Sequence, residues 1–188
     1  TPPAEQFRII IGFTNGPCNY GPSRKLTGQP KEVFAIMNYA VDDNERPIFY
    51  KKVVETVVHE FCHSFIKIKG DTEKALEKSG KALQEYTYFS MRRQAYSTWR
   101  NILEESLVRA ATICYLIDHD YDEKDIRNAI IEQVDRNFFW MPELVQTLRY
   151  YESHRKKYPT FTSFYPEIIR FFDRYVTNME KEMKKAMK

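Results

Sequence analysis

Cysteine is scarce in this chain: Cys18, Cys62 and Cys114 are the only three, too widely spaced for a disulfide framework or a Cys-x-x-Cys zinc site. They read most simply as buried thiols. No stretch of about 18 apolar residues occurs, which excludes a membrane-spanning helix, and the N-terminus has no signal-peptide pattern. The chain opens at Thr1 without an initiator methionine, which points to a processed or truncated product and leaves the compartment unreadable. An excess of one charge is also lacking. The 29 basic and 26 acidic residues are scattered, so no basic stripe asks for nucleic acid. The one local concentration, Lys181, Lys184, Lys185 and Lys188, reads as a solvated helix end with cations near the negative end of the helix dipole. Internal repeats and low-complexity segments are absent.

What is present is enough for a core. With 43% hydrophobic and 15% aromatic residues, the 188-residue chain is expected to form a single domain spanning 1–188. Phe7 to Phe13 is a β-branched run that stops at the turn signal Asn15-Gly16-Pro17, and Glu32 to Val41 is a second candidate strand. Two strands are marginal alone, so they are expected to pack on helices. From about Ile48 onward the pattern is helical, punctuated by Gly70, Asp118-His119-Asp120, Pro142, Pro159 and Pro166. The expected fold class is α+β and mainly helical, with a small N-terminal sheet followed by a helical body.

Histidine is rarer than chance arrangement would require: of four in the chain, two stand in His59-Glu60-Phe61-Cys62-His63. Residues four apart share a helix face, so two imidazoles can be aimed at one zinc ion while the Glu between them activates a water. Val54, Val57, Val58, Phe61 and Phe65 supply an apolar stripe on the side opposite His59 and His63. The plain alternative is a coincidental match on a surface helix. A Glu beside the first His favours a catalytic site, which keeps a position for water, over a structural site closed by four protein ligands.

A third protein ligand must come from elsewhere, because Ile66 and Lys69 occupy the positions where a Gly and a third His would continue a metzincin motif. A carboxylate is expected, and the segment from Trp99 to Thr112 is its best source. Leu103, Leu107, Ala110, Cys114 and Ile117 form the core stripe there, leaving Glu105 on the opposite face with Asn101, Arg109 and Thr112. Glu105 is therefore the chosen ligand, with Glu104 in reserve. An ordinary i,i+4 ion pair from Glu105 to Arg109 is the plain alternative.

A His-Glu-x-x-His helix followed by a Glu on a later helix is similar to the gluzincin class of zinc peptidases. More closely, His59-Glu60-Phe61-Cys62-His63-Ser64-Phe65, Glu105-Ser106-Leu107-Val108-Arg109-Ala110, Tyr158-Pro159-Thr160-Phe161 and Asn19-Tyr20-Gly21 resemble a bacterial family known as domain of unknown function number four-nine-three-two. The resemblance runs through most of the chain. It implies a zincin-like helical body, zinc on His59, His63 and Glu105, Glu60 as general base, a peptide or protein substrate, and export to the periplasm, surface or medium. Two departures from the thermolysin-like pattern stand out. The interval from His63 to Glu105 is longer, and Arg109 stands where the ligand helix of those enzymes carries an Asp.

Under the peptidase reading Glu60 takes a proton from the attacking water, and a second donor should face the developing oxyanion. Tyr96, Tyr150, Tyr151, His154 and Tyr158 are the candidates, each with a packing or surface role as its plain alternative. The strand around Asn38-Tyr39 is a further candidate, as an edge for an extended substrate. Two rivals remain: a zincin-like binding module without turnover, anchored by Phe138, Phe139 and Trp140, and hydrolysis of a non-peptide amide or ester by the same chemistry.

Overall fold

The computed structural model describes residues 5–12, 16, 18–48 and 50–187. Phe13, Asn15, Pro17 and Lys188, which carry parts of the expected first strand, its turn and the C-terminal charge run, lie outside the described residues. The architecture is α+β and mainly helical, with a small N-terminal sheet, as expected. The chain divides into two compact units, Thr1–Lys67 and Ile68–Lys188. Among the described residues no helix is long and apolar enough to cross a membrane.

The first unit is built on a three-stranded sheet ordered β1 (Gln6–Ile11), β3 (Glu32–Met37), β2 (Ser23–Arg24). β1 runs parallel to β3 in the register Gln6↔Glu32 to Ile11↔Met37, and β2 runs antiparallel on the other side. β3 is thus the central strand, and Val33, Ala35 and Met37 on it are buried. Glu32 opens it between two guanidiniums, Arg8 at 2.9 Å and Arg24. The hydrogen bond from Arg24 holds the Glu32 carboxyl below its ordinary range, against the desolvation that would raise it.

The expected strand from Glu32 to Val41 is broken. Asn38 donates its backbone N–H to Asn19 Oδ1 at 2.7 Å, and Tyr39 donates its own to Asn38 Oδ1 at 2.8 Å. Both donors are thereby lost to a ladder. The chain then enters a separate hairpin of β4 (Ala40–Val41) and β5 (Pro47–Ile48), whose turn is organised by Asp42 Oδ1 accepting from the N–H groups of Asn44 and Arg46. Asn38-Tyr39 is therefore no free strand edge: β3 is flanked on both sides, and Asn38-Tyr39 falls outside every strand.

α1 (Lys51–Cys62) packs against β3. Four valines give it little intrinsic helix preference and Tyr50 makes no side-chain cap, so its stability comes from its contacts. Phe61 meets Phe7 edge-on with ring centroids 5.2 Å apart. The helix is shorter than the apolar stripe anticipated: Phe65 lies beyond its end, and Val54 and Phe65 are 44% and 47% exposed. Val57, Val58 and Phe61 are half-buried.

The second unit consists of α2 (Asp71–Tyr86), α3 (Tyr88–Arg93), α4 (Trp99–Asp118), α5 (Glu123–Asp135), α6 (Met141–Ser153) and α7 (Phe161–Ala186). α4 is central, contacting α2, α5 and α6, while α7 packs on α2 and α6. Gly80 allows α2 to approach α4, since a Cβ there would stand 2.5 Å from the Trp99 ring. Thr98 caps α4 by accepting the Asn101 N–H at 3.2 Å, and Thr160 and Ser163 form a reciprocal capping box at the start of α7. Pro166 does not punctuate the chain as expected: it sits in the second turn of α7, which continues for twenty more residues to Ala186. Phe138 and Trp140 are fully buried, with Trp140 Nε1 donating to Ser106 Oγ at 2.9 Å. Of the three surface anchors considered for a binding module only Phe139, at 41%, is exposed.

Candidate metal centre

His59 occupies the last turn of α1, and His63 follows as its C-cap with φ −56° and ψ −26°. Those dihedrals continue the helical course for one residue past the last helical position, so the two side chains still share a face. Their Nε2 atoms stand 3.2 Å apart. Two nitrogens each about 2.0–2.1 Å from a tetrahedral zinc would be separated by roughly 3.3 Å, so the pair is spaced as two ligands of one ion are. The C-terminal end of α1 also carries partial negative charge, which favours a cation there.

The stretch following His63 is fastened from two sides. Lys31 Nζ donates to the Ser64 carbonyl at 3.0 Å and lies 4.6 Å from the Phe65 ring centroid. Ser64 Oγ donates to the Gly21 carbonyl at 3.3 Å. Gly21 itself presses against α1: a Cβ built on it would stand 1.9 Å from the Glu60 carbonyl oxygen, so only glycine fits. Its neighbour Tyr20 pairs with Ile36 of β3 through an isolated antiparallel bridge, and Asn19 holds the Asn38 N–H. Asn19-Tyr20-Gly21 is thus a splint between β3 and the histidine-bearing end of α1. Glu60 is buried, at 7% exposure. Between the histidines, Cys62 has its thiol pushed up to about 11 by burial.

In the second unit Glu105, on the α4 face opposite the core stripe, is buried at 6% exposure. α4 is buried almost all round, with Glu105, Ser106 and Thr112 buried along with Leu103, Leu107 and Ala110. The anticipated i,i+4 partner is present: Arg109 Nη2 lies 2.8 Å from Glu105 Oε1. Arg109 also donates from Nη2 to the Tyr96 hydroxyl at 3.0 Å and from Nη1 to Gln133 Oε1 at 2.5 Å. Burial opposes the charge on Arg109, but the charge of Glu105 and the bond to Tyr96 outweigh it and raise the guanidinium further. Burial and then the Glu105 charge push the Tyr96 phenol upward, against the pull of Arg109. Tyr96 therefore stays a proton donor through neutral pH. Glu104, the reserve ligand, is otherwise engaged: its Oε1 accepts the Ile68 N–H at 2.7 Å.

Among the five aromatic donors considered, Tyr96 alone bonds the guanidinium that holds Glu105. Tyr150, Tyr151, His154 and Tyr158 belong to the α6–α7 packing. His154 Nδ1 lies 2.9 Å from the Tyr150 carbonyl, Tyr158 donates to Glu167, and Tyr151 lies against Phe161 and Phe164. Gln133 had no signal in the sequence, because its role depends on α5 being laid beside α4. The cysteines differ from expectation at one position: Cys114 is buried and Cys62 half-buried, but Cys18 is exposed.

The comparisons with known proteins give one finding. Residues 4–171 match the model of a family described as Domain of unknown function (DUF4932), a span that includes both histidines, Glu60 and Glu105. No curated protein and no solved structure matches the chain.

Proposed function

This chain belongs to the DUF4932 family, and we propose that it is a zinc-dependent metallopeptidase of gluzincin type, with His59, His63 and Glu105 as ligands and Glu60 as general base. The observation that carries this reading is that His59 and His63, at the end of α1 with Glu60 directly after the first, set their Nε2 atoms 3.2 Å apart. The donor set fits zinc. Two imidazoles and one carboxylate are a known catalytic combination, and three protein ligands leave a position for water or substrate. Bound there, zinc would supply Lewis-acid polarisation of a scissile carbonyl and make a water easier to deprotonate.

The chain's own residues supply the rest. Glu60 follows His59 directly in the motif and takes the proton as water attacks the carbonyl, then passes it to the departing amine. Tyr96 keeps its phenolic proton and, on turning it from the Glu105 carboxylate that it now bonds, would serve as the hydrogen-bond donor to the developing oxyanion.

The test is a peptide-library digest with the zinc-loaded full chain, the chelated chain and the chelated chain with zinc restored. Cleavage in the first and third arms only is the expected result. If the loaded protein cleaves no peptide in the library, the peptidase reading is wrong, and a module that binds without turnover becomes the better one.

A further inference from the structure

Exposed i,i+4 ion pairs on a helix form in solvent and contribute little. The pair of Glu105 and Arg109 is of another kind, since their side chains are only 7% and 13% exposed. Ion pairs this deep are often no more stabilising than apolar residues of the same shape, so stability alone is a weak reason for one. The surroundings of Arg109 point to geometry instead. Its guanidinium is fixed from three directions besides Glu105: the Tyr96 hydroxyl at 3.0 Å, Gln133 Oε1 at 2.5 Å, and the Phe138 ring with its centroid 5.1 Å away. Gln133 is in turn held by its Nε2 donating to the Ala129 carbonyl at 3.2 Å. Arg109 Nε is buried with no hydrogen-bond partner. An unbonded buried donor is costly, and here it accompanies an arrangement in which both terminal nitrogens are aimed.

We propose that Arg109, clamped by Tyr96 and Gln133, is a positioning residue that orients the Glu105 carboxylate for the metal. The proposal rests on the reading of Glu105 as a zinc ligand. Two effects of Arg109 oppose each other there. Its charge repels a cation, while its hydrogen bond to Oε1 fixes the plane of the carboxylate. Loss of such an outer partner typically weakens metal binding by about 10- to 100-fold, so orientation is the larger effect. A lysine keeps the charge but is a point donor without the planar fork, and cannot hold Glu105, Tyr96 and Gln133 together.

The experiment measures zinc affinity of the full chain by competition with a chromophoric chelator, together with the visible spectrum of the cobalt(II)-loaded protein, which reports ligand geometry without turnover. Arg109→Lys is expected to weaken zinc by about 10- to 100-fold and to change the cobalt bands. Both Tyr96→Phe and Gln133→Leu leave the ion pair in place; Gln133→Leu loosens only the clamp, and Tyr96→Phe also removes the phenol's own hydrogen bond to Glu105. They should weaken zinc in the same direction by a smaller factor, and they carry the test should Arg109→Lys fail to fold. Folded variants that all bind zinc at the wild-type affinity, or an Arg109→Lys protein that binds more tightly, would overturn the proposal. A wild type that binds no zinc at all overturns the metal reading itself and this inference with it.

Discussion

Glu104 and Glu105 are neighbours in sequence but do different work: Glu104 Oε1 accepts the Ile68 backbone N–H at 2.7 Å, whereas Glu105 Oε1 takes the Arg109 guanidinium at 2.8 Å. The first is a structural tie to the start of the second unit. The second is a buried carboxylate with an orienting partner, a setting that suits the proposed ligand role.

Glu105→Gln should therefore weaken zinc binding far more than Glu104→Gln. A carboxamide is a poor zinc ligand, but its oxygen can still accept the Ile68 N–H. In a chelator-competition titration the Glu105 variant is expected to lose more than the roughly 10- to 100-fold associated with an outer partner, and the Glu104 variant to stay near the wild type. Equal or reversed effects would transfer the ligand role to Glu104.

Glu60→Gln should keep both fold and zinc while lowering kcat by roughly 100-fold or more, the scale of general acid-base catalysis. KM should change little, since the proposed role is proton transfer. The check is steady-state kinetics on a peptide identified by the library digest, with zinc content measured on the same samples. Wild-type turnover with zinc in place would remove the general-base assignment.

The α6–α7 packing carries an acid-sensitive contact. Glu167 accepts from Arg170 and from the Tyr158 hydroxyl, which together hold its carboxyl down at about 2 from an ordinary 4.5. A depressed carboxyl stabilises the fold above its unfolded-state value and ceases to do so as pH falls through its folded-state value. The window is thus from about 4.5 down to about 2. Arg170 is 66% exposed, so solvent screening keeps the effect small. Urea unfolding should find wild type more stable than Glu167→Gln at pH 6, with the gap closing toward pH 2. A gap independent of pH would contradict this.

Local pattern made much of this architecture legible. The first strand, expected over Phe7 to Phe13 and seen as Gln6–Ile11, the helical body and the i,i+4 histidines all depend on residues close in sequence. Features set by distant residues were not legible. The strand from Glu32 stops at Met37 because Asn19, nineteen positions before Asn38, takes its N–H. Gly21 is confined by the Glu60 carbonyl, a contact that nothing in its own neighbourhood announces. On α4 a stripe argument put Glu105 on the polar face but could not tell that this position is buried, because a helix surrounded by α2, α5 and α6 buries polar positions too. Periodicity tells which residues share a face, not whether that face meets water.

The central claim is that His59 and His63, whose Nε2 atoms lie 3.2 Å apart, hold a zinc ion. Anomalous scattering at the zinc edge, on crystals of protein prepared without chelator, tests it most directly. The account predicts one strong peak per chain, within coordination distance of both Nε2 atoms and a Glu105 oxygen, and its loss in His59→Ala. No peak, or a peak away from His59, would contradict it.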